Sequence, residues 1–222
     1  MRGDRGFSLI EILVALFLAA LIFIAIPSSD ESRRHQDLQQ AVEDIDRSVR
    51  FAGSEAVLRN VIVRLRFNLA KFPVEFVVEY GPKDDLVLPL PREQKSLSIE
   101  EAEKEKKRAG QLDAQFTRVE EFADITRELP GEVELLGVAT QAQKALQRDG
   151  MVSLYFYPTG ERDAAIVFFA TQDEIASLEI EPFQEKTRAE YVALPRQGPD
   201  VAKAGDFRDT KVEELTKNWL DK

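Results

Sequence analysis

The chain of 222 residues contains no cysteine, one histidine (His35) and one tryptophan (Trp219). Without cysteine there are no disulfides, no zinc–thiolate sites and no thiol nucleophiles. One histidine excludes a histidine-rich metal site and argues against a Ser-His-Asp triad. A glycine-rich phosphate loop is also missing. Positive charge is in short supply: 30 Lys and Arg stand against 40 Asp and Glu, a net charge of −10. That balance argues against a broad electrostatic grip on nucleic acid. Acid pairs do occur, at Asp84-Asp85, Glu120-Glu121 and Glu213-Glu214. They fall in turns or charged helices, and solvated faces explain them better than acid–base chemistry. With 44% hydrophobic and 32% charged residues the chain has enough apolar material for a core, so wholesale disorder is not expected. The length fits one domain, or one domain with an extension.

The apolar residues are unevenly spread. Ile12 to Ile26 is a run of 15 residues without a charge, and Phe7 to Ile26 spans 20 residues with one acid, Glu11. About 20 residues is the length a helix needs to span a bilayer. Arg2 and Arg5 precede it, which places the N-terminus in the cytoplasm and the bulk of the chain across the membrane. A cleaved secretory signal and a plain uncleaved anchor are the competing readings. A carboxylate within the run fits a signal peptide poorly. So does its end, Ile24-Ala25-Ile26-Pro27, which is not a small-residue cleavage site. A carboxylate at membrane depth costs roughly 2.5–3.5 kcal/mol on insertion scales. Glu11 is therefore read as functional, with a cation expected to meet it.

Gly6-Phe7-Ser8-Leu9-Ile10-Glu11, followed by the apolar run, resembles the type IV prepilin leader. The resemblance implies cleavage between Gly6 and Phe7 by a prepilin peptidase, then N-methylation of Phe7. It also implies a role in assembly for Glu11. The amine created at Phe7 of one subunit pairs with Glu11 of its neighbour, neutralising the acid and setting the axial register. The leader is then residues 1–6, and residues 7–27 are the transmembrane and assembly half of a long helix. A kink is expected at Pro27, as pilins show at the membrane exit.

Beyond Pro27, Leu38, Val42, Ile45, Val49, Ala52 and Ala56 recur at spacings of three and four, an apolar stripe on one helix face. Ser8 to about Arg59 reads as one helix of about 78 Å, with residues 28–60 as its periplasmic half and Asn60 as its stop. The passage from Val49 to Leu65, with Gly53-Ser54-Glu55-Ala56, Arg59-Asn60 and an alternating strand, is similar to the helix-to-strand passage of the GspH/FimT family. It departs from that family at Gly53, where a bulkier residue is usual. The resemblance implies an α+β, pilin-like fold: a long N-terminal α-helix packed on an antiparallel β-sheet domain.

Residues 61–185 form the expected β domain. Val63, Leu65 and Phe67 alternate with Arg64 and Arg66, a strand with one buried and one wet face. Val74 to Tyr80 alternates likewise, and Leu86 to Leu90 reads as a short strand. Residues 92–128 are a charged insertion, with a helix from near Ser98, a capping box at Glu101 and an end near Gly110. Phe116, Val119, Phe122 and Ile125 read as a second turn of helix. A solvated excursion is preferred for this insertion over a partner-docking surface. Strands follow at Glu132–Val138 and in an expected hairpin, Val152–Ala170, with Pro158-Thr159-Gly160 at its turn. Leu178–Phe183 reads as the last strand. Residues 186–222 are a C-terminal extension, with a short helix from Thr210 to Leu220 carrying Val212, Leu215 and Trp219 on one face. Whether that helix docks on its own domain or on a partner stays open. His35 reads as a surface residue beside Arg33 and Arg34. For Asp200, Asp206 and Asp209, no spacing supports a calcium site.

The resemblance implies a minor pseudopilin of the H type, a structural subunit at the tip of the periplasmic pseudopilus of a type II secretion system. No catalytic residue, cofactor or metal is expected. The expected partners are the prepilin peptidase, other minor and major pseudopilins, the inner-membrane assembly platform and membrane lipid. The expected location is the Gram-negative inner membrane, single-pass, with the C-terminal domain in the periplasm. A FimT-like minor pilin acting in pilus assembly or DNA uptake is the rival. A membrane-anchored periplasmic enzyme is a third reading, for which the sequence offers no site.

Overall fold

The structure is a computed structural model that describes residues 9–25, 30–82, 99–119, 127–184, 186–194 and 201–222. The chain divides into two compact units, Met1–Arg33 and Arg34–Lys222. Helix α1 (Leu9–Ala25) belongs to the first, and α2 (Asp30–Arg59) runs from the first into the second. The sequence reads these residues as one kinked helix. The described residues form two, and the expected kink at Pro27 lies outside them. The remaining elements are β1 (Val63–Asn68), β2 (Glu75–Tyr80), α3 (Ile99–Asp113), β3 (Thr117–Arg118), β4 (Arg127–Glu128), β5 (Glu134–Thr140), β6 (Ala145–Gln147), β7 (Met151–Phe156), β8 (Ala165–Ala170), β9 (Glu174–Ile180), β10 (Arg188–Ala193) and α4 (Val201–Leu220). The architecture is α+β and pilin-like, a long helix with antiparallel sheets.

The stripe seen in the sequence is the buried face of α2. Leu38, Ala41, Val42, Ile45, Val49, Ala52 and Ala56 are all buried. The helix ends as its sequence implies. Asn60 takes φ 53°, and the Val61 N–H bonds the Ala56 carbonyl at 3.3 Å, closing the turn on a left-handed residue. Near this end the Tyr80 hydroxyl donates to Glu55, and Arg59 bonds Glu55 at 2.5 Å. Chiefly through the Tyr80 bond, against burial, the Glu55 carboxyl is held below its ordinary pKa, with Arg59 adding to the effect. Fixing Tyr80 to α2 therefore helps stability above the normal glutamate range of about 4.3 and is lost on acidification.

Two sheets share this helix. The first runs β3-β2-β1-β7, with β4 also on β2, and the second runs β10-β9-β8-β5-β6. The β1–β2 register sets Val63 opposite Tyr80 and Phe67 opposite Phe76, and β7 places Leu154 opposite Leu65. The inward residues of both sheets and the α2 stripe make one core. Strand β8, AIVFFA, is buried at every position. Ala165, Val167 and Phe169 join the α2 core. Ile166, Phe168 and Ala170 lie in a second cluster on the other side, with Val212 and Trp219 of α4. A strand covered on both faces reads as a continuous apolar run, which is what AIVFFA is. In β5 the register shifts between Leu135 and Gly137. Gly137 has φ 155°, and a Cβ there would lie 2.6 Å from the Gln147 carbonyl oxygen, so only glycine fits.

The expected hairpin Val152–Ala170 is not one. β7 pairs with β1, whereas β8 pairs with β5 and β9 in the other sheet. Only the corner is closed, by the Phe156–Arg162 bridge and by bonds from the Tyr157 N–H to the Glu161 carbonyl and from the Asp163 N–H to the Tyr155 carbonyl, both 2.9 Å. The Asp163 carboxylate also accepts from the Tyr155 N–H at 3.0 Å and from the Tyr157 hydroxyl at 3.2 Å. These contacts cover the outer edge of β7 at Tyr155 and turn the chain into the second sheet. Burial pushes the Asp163 carboxyl up, against the two bonds that favour its charged form. A raised carboxyl makes its contribution in full below the unfolded value near 3.9 and loses it as pH climbs through the folded value. Asp163→Asn is expected to accept from the Tyr155 N–H through its one oxygen, to donate its amide to the Tyr157 hydroxyl, and to remove this loss, flattening stability from acid to neutral pH. Asp163→Ala is expected to cost about 1–3 kcal/mol. Urea unfolding at several pH values measures both.

The chain beyond residue 185 packs onto the second sheet. Leu178–Phe183 is not the last strand: β9 covers Glu174–Ile180, and β10 adds to it with Arg188 opposite Glu179. The final helix is 20 residues long, longer than the Thr210–Leu220 stretch its apolar face picks out. It docks on its own domain, with Val212 and Trp219 buried in the second cluster. Within the insertion, α3 continues past Gly110 to Asp113; Gly110 does not take the left-handed conformation that would end the helix there. The second helical turn expected around Phe116 is instead β3, with Arg118 opposite Glu79 and the Val119 N–H on the Val78 carbonyl at 3.1 Å. The edge of β2 offers backbone partners there, and they win over local propensity. The short strand expected at Leu86–Leu90, together with Phe122 and Ile125, lies outside the described residues.

Candidate assembly segment and its surroundings

α1 is LIEILVALFLAALIFIA, 17 residues with one charge, Glu11, in the first turn. From Leu9 to Leu18 every large apolar side chain is exposed, between 50% for Val14 and 82% for Leu9. A helix apolar all round is stable in water only when something else covers it, a bilayer or other helices. Seventeen residues rise about 26 Å, short of the roughly 30 Å hydrocarbon layer. Among the described residues no helix is long and apolar enough to cross a membrane. Gly6 and Phe7, the expected cleavage and methylation residues, lie outside the described residues, as does Pro27. Glu11 is solvent-exposed at the start of α1, where a carboxylate also complements the helix dipole.

Where the second unit begins, α2 is tied to the β8–β9 turn. Arg34 Nε bonds Asp173 at 2.6 Å, and His35 Nδ1 meets Glu174 at 2.5 Å. The imidazole also meets Gln39 at 3.0 Å and lies 6.1 Å from the Tyr191 ring. The basic cluster read from sequence is thus partly spent on holding the helix to the domain. Burial, with the charges of Glu43 and Glu174, pushes the Tyr191 hydroxyl up.

A buried charge cluster on β1 was not legible as such. Arg64, read as lying on a wet strand face, is fully buried. Its Nε bonds Glu79 at 2.6 Å and its Nη1 bonds Asp113 at 2.5 Å. Arg66 reaches the other oxygen of Asp113 at 3.0 Å. The Phe116 ring covers the Arg64 guanidinium at 3.9 Å. Burial disfavours the charge of Arg64, but the bonds it donates to Asp113 and Glu79 outweigh this, and its pKa lies above the ordinary arginine value. The end of the insertion therefore caps the outer face of the first sheet, although the exposed residues of α3 leave that helix itself in solvent. The cluster holds carboxylates and guanidinium groups but no nucleophile, and it works as a clamp. At Gly53 a Cβ would meet Phe156 at an ordinary 3.8 Å, so the bulkier residue usual in the resembling family would fit.

No group of three or more His, Cys, Asp or Glu suited to a metal ion occurs among the described residues. Asp209 is engaged with Arg148 at 2.7 Å, and Glu214 with Lys211 at 3.0 Å.

Residues 1–27 match the prokaryotic N-terminal methylation motif. No curated protein and no solved structure matches the chain. The motif is a type IV prepilin-like signal, which implies processing by prepilin peptidase and assembly with other pilins.

Proposed function

We propose that this chain is a minor pseudopilin of the GspH/FimT type, a structural subunit at the tip of a type II secretion pseudopilus. The match of residues 1–27 to the methylation motif carries this reading. It is supported by an apolar α1 with Glu11 in its first turn and by a long helix buried against antiparallel sheets. Before processing, α1 with its flanking residues stores the chain in the inner membrane, with the domain in the periplasm. Prepilin peptidase cuts after Gly6, and the amine of Phe7 is methylated. Glu11 then attracts the amine of an adjoining subunit as the chain enters the filament. Minor and major pseudopilins and the inner-membrane assembly platform are its partners. The work is mechanical: the growing filament pushes folded cargo through the outer membrane. The chain has no enzymatic activity of its own and needs no cofactor.

The rival is a FimT-like minor pilin of pilus assembly or DNA uptake, and the net charge of −10 weighs against the nucleic-acid version. Deleting the protein and assaying both processes separates the two. The expected outcome is loss of protein secretion with DNA uptake intact. Loss of uptake with secretion intact would overturn the assignment in favour of the rival.

A further inference from the structure

An open sheet edge is a template for another strand, and folds guard against it by shortening, capping or bending the outermost strand. The first sheet ends beside β2 in β3 and β4, of two residues each. At its opposite end β7 is capped at Tyr155 by Asp163. The second sheet ends on one side in β6, of three residues. On the other side it ends in β10, which runs for six residues in unbroken register with β9 and holds no proline. The Leu194 N–H bonds the Asp173 carbonyl at 2.7 Å, which fixes the phase of this ladder. The backbone groups of Arg188, Glu190 and Val192 therefore face β9, and those of Ala189, Tyr191 and Ala193 face outward. No backbone partner meets the outward groups among the described residues. The strand is fixed at both ends, by Leu194 and by the Thr187 hydroxyl, which donates to Asp46 of α2 at 2.5 Å. Arg188 and Glu190 are exposed and share one face of β10. Neither is in an ion pair among the described residues. Glu179, across from Arg188 on β9, is taken by Lys222 at 2.7 Å.

We infer that β10 takes up an extended segment of a partner protein as an added antiparallel strand, with a base opposite Glu190 and an acid opposite Arg188. Main-chain bonds to Ala189, Tyr191 and Ala193 supply the affinity, and the cross-strand charge pairs supply the selectivity. An edge already held straight spares the cost of ordering it on binding. A second copy of this chain fits in neither direction. In a parallel pair Arg188 would face Arg188 and Glu190 would face Glu190, and like charges directly opposite are destabilising. An antiparallel pair centred on Ala189 matches the charges but runs the two α2 helices in opposite directions. The residues preceding them would then leave at opposite ends, where they could not enter one membrane. That last step alone rests on the reading of the N-terminal segment; the open edge does not.

Fluorescence polarisation with the detergent-solubilised full chain tests it. The probe is a fluorescein-labelled peptide, Thr-Val-Thr-Lys-Val-Glu, whose lysine falls opposite Glu190 and whose glutamate falls opposite Arg188. The control carries glutamate in place of the lysine. The probe is expected to bind saturably and about threefold tighter than the control. Glu190→Lys is expected to reverse that preference, which a folding defect would not do. Ala189→Pro removes an outward donor and leaves the bonds to β9 in place. It is expected to weaken binding about tenfold with the unfolding midpoint of the domain unchanged. Absence of saturable binding to the wild type, full binding by Ala189→Pro, or a preference that Glu190→Lys does not move would overturn the assignment. The chain has no cysteine of its own, so Ala189→Cys reports on self-pairing. It is expected to stay monomeric on oxidation, and a symmetric disulfide dimer would overturn the partner strand in favour of a second copy. Secretion and processing assays do not enter this test, so its failure leaves the reading of the N-terminal segment untouched.

Discussion

Replacing Glu79 by alanine is expected to lower the stability of the domain by about 3–5 kcal/mol, the cost of leaving one partner of a buried ion pair behind. Arg64 has no exposed side-chain surface and loses its 2.6 Å partner, while Asp113, on the more exposed side of the cluster, holds only Nη1. The double replacement Arg64→Met with Glu79→Leu removes both charges. It is expected to cost much less than the single change, because buried pairs replaced by apolar groups of like volume are often near neutral. Urea unfolding of both variants, followed by the fluorescence of Trp219, measures the difference. Equal losses in the two would mean that the pair contributes by shape alone. The single variant is also expected to loosen the insertion, since Asp113 and Phe116 dock onto the same guanidinium.

The second large effect concerns the leader. Gly6→Val is expected to block processing, because a side chain crowds the peptidase site next to the scissile bond. The chain then stays in its uncut form and secretion stops. Glu11→Ala is expected to leave cleavage intact and abolish incorporation into the filament. It leaves the amine of the adjoining subunit without a counter-charge in an apolar setting, again about 3–5 kcal/mol. Immunoblots for cut and uncut chain, with shear fractions for the filament, separate the two phenotypes. Equal incorporation of Glu11→Ala and wild type would remove Glu11 from the account.

Much of the fold was legible because two periodicities are unmixed. The three-and-four spacing from Leu38 to Ala56 gave the buried face of α2, and Asn60 gave its cap. Strict alternation gave β1 and β2. What failed had non-local causes. The Pro158-Thr159-Gly160 turn signals a reversal but not which sheet the returning strand joins, and that choice is made by β5 and β9. Arg64 looked wet because its cover, Asp113 and Phe116, lies about fifty residues away in sequence. β10, RAEYVA, has only one partly buried position and thus little alternation to detect. The face of α4 was visible through Val212, Leu215 and Trp219, but its target, the outer residues of β8, could be known only once AIVFFA was seen covered on both sides. Of the assembly segment, the leader motif was wholly a matter of sequence.

The central claim is that Gly6 and Phe7 flank a processed bond and that Glu11 serves the subunit so made. Mass spectrometry of the intact chain purified from membranes tests it most directly. The account requires a chain that begins at Phe7 and carries an added methyl group on its amine. A chain that still begins at Met1, or one cut near Ala25, would contradict it.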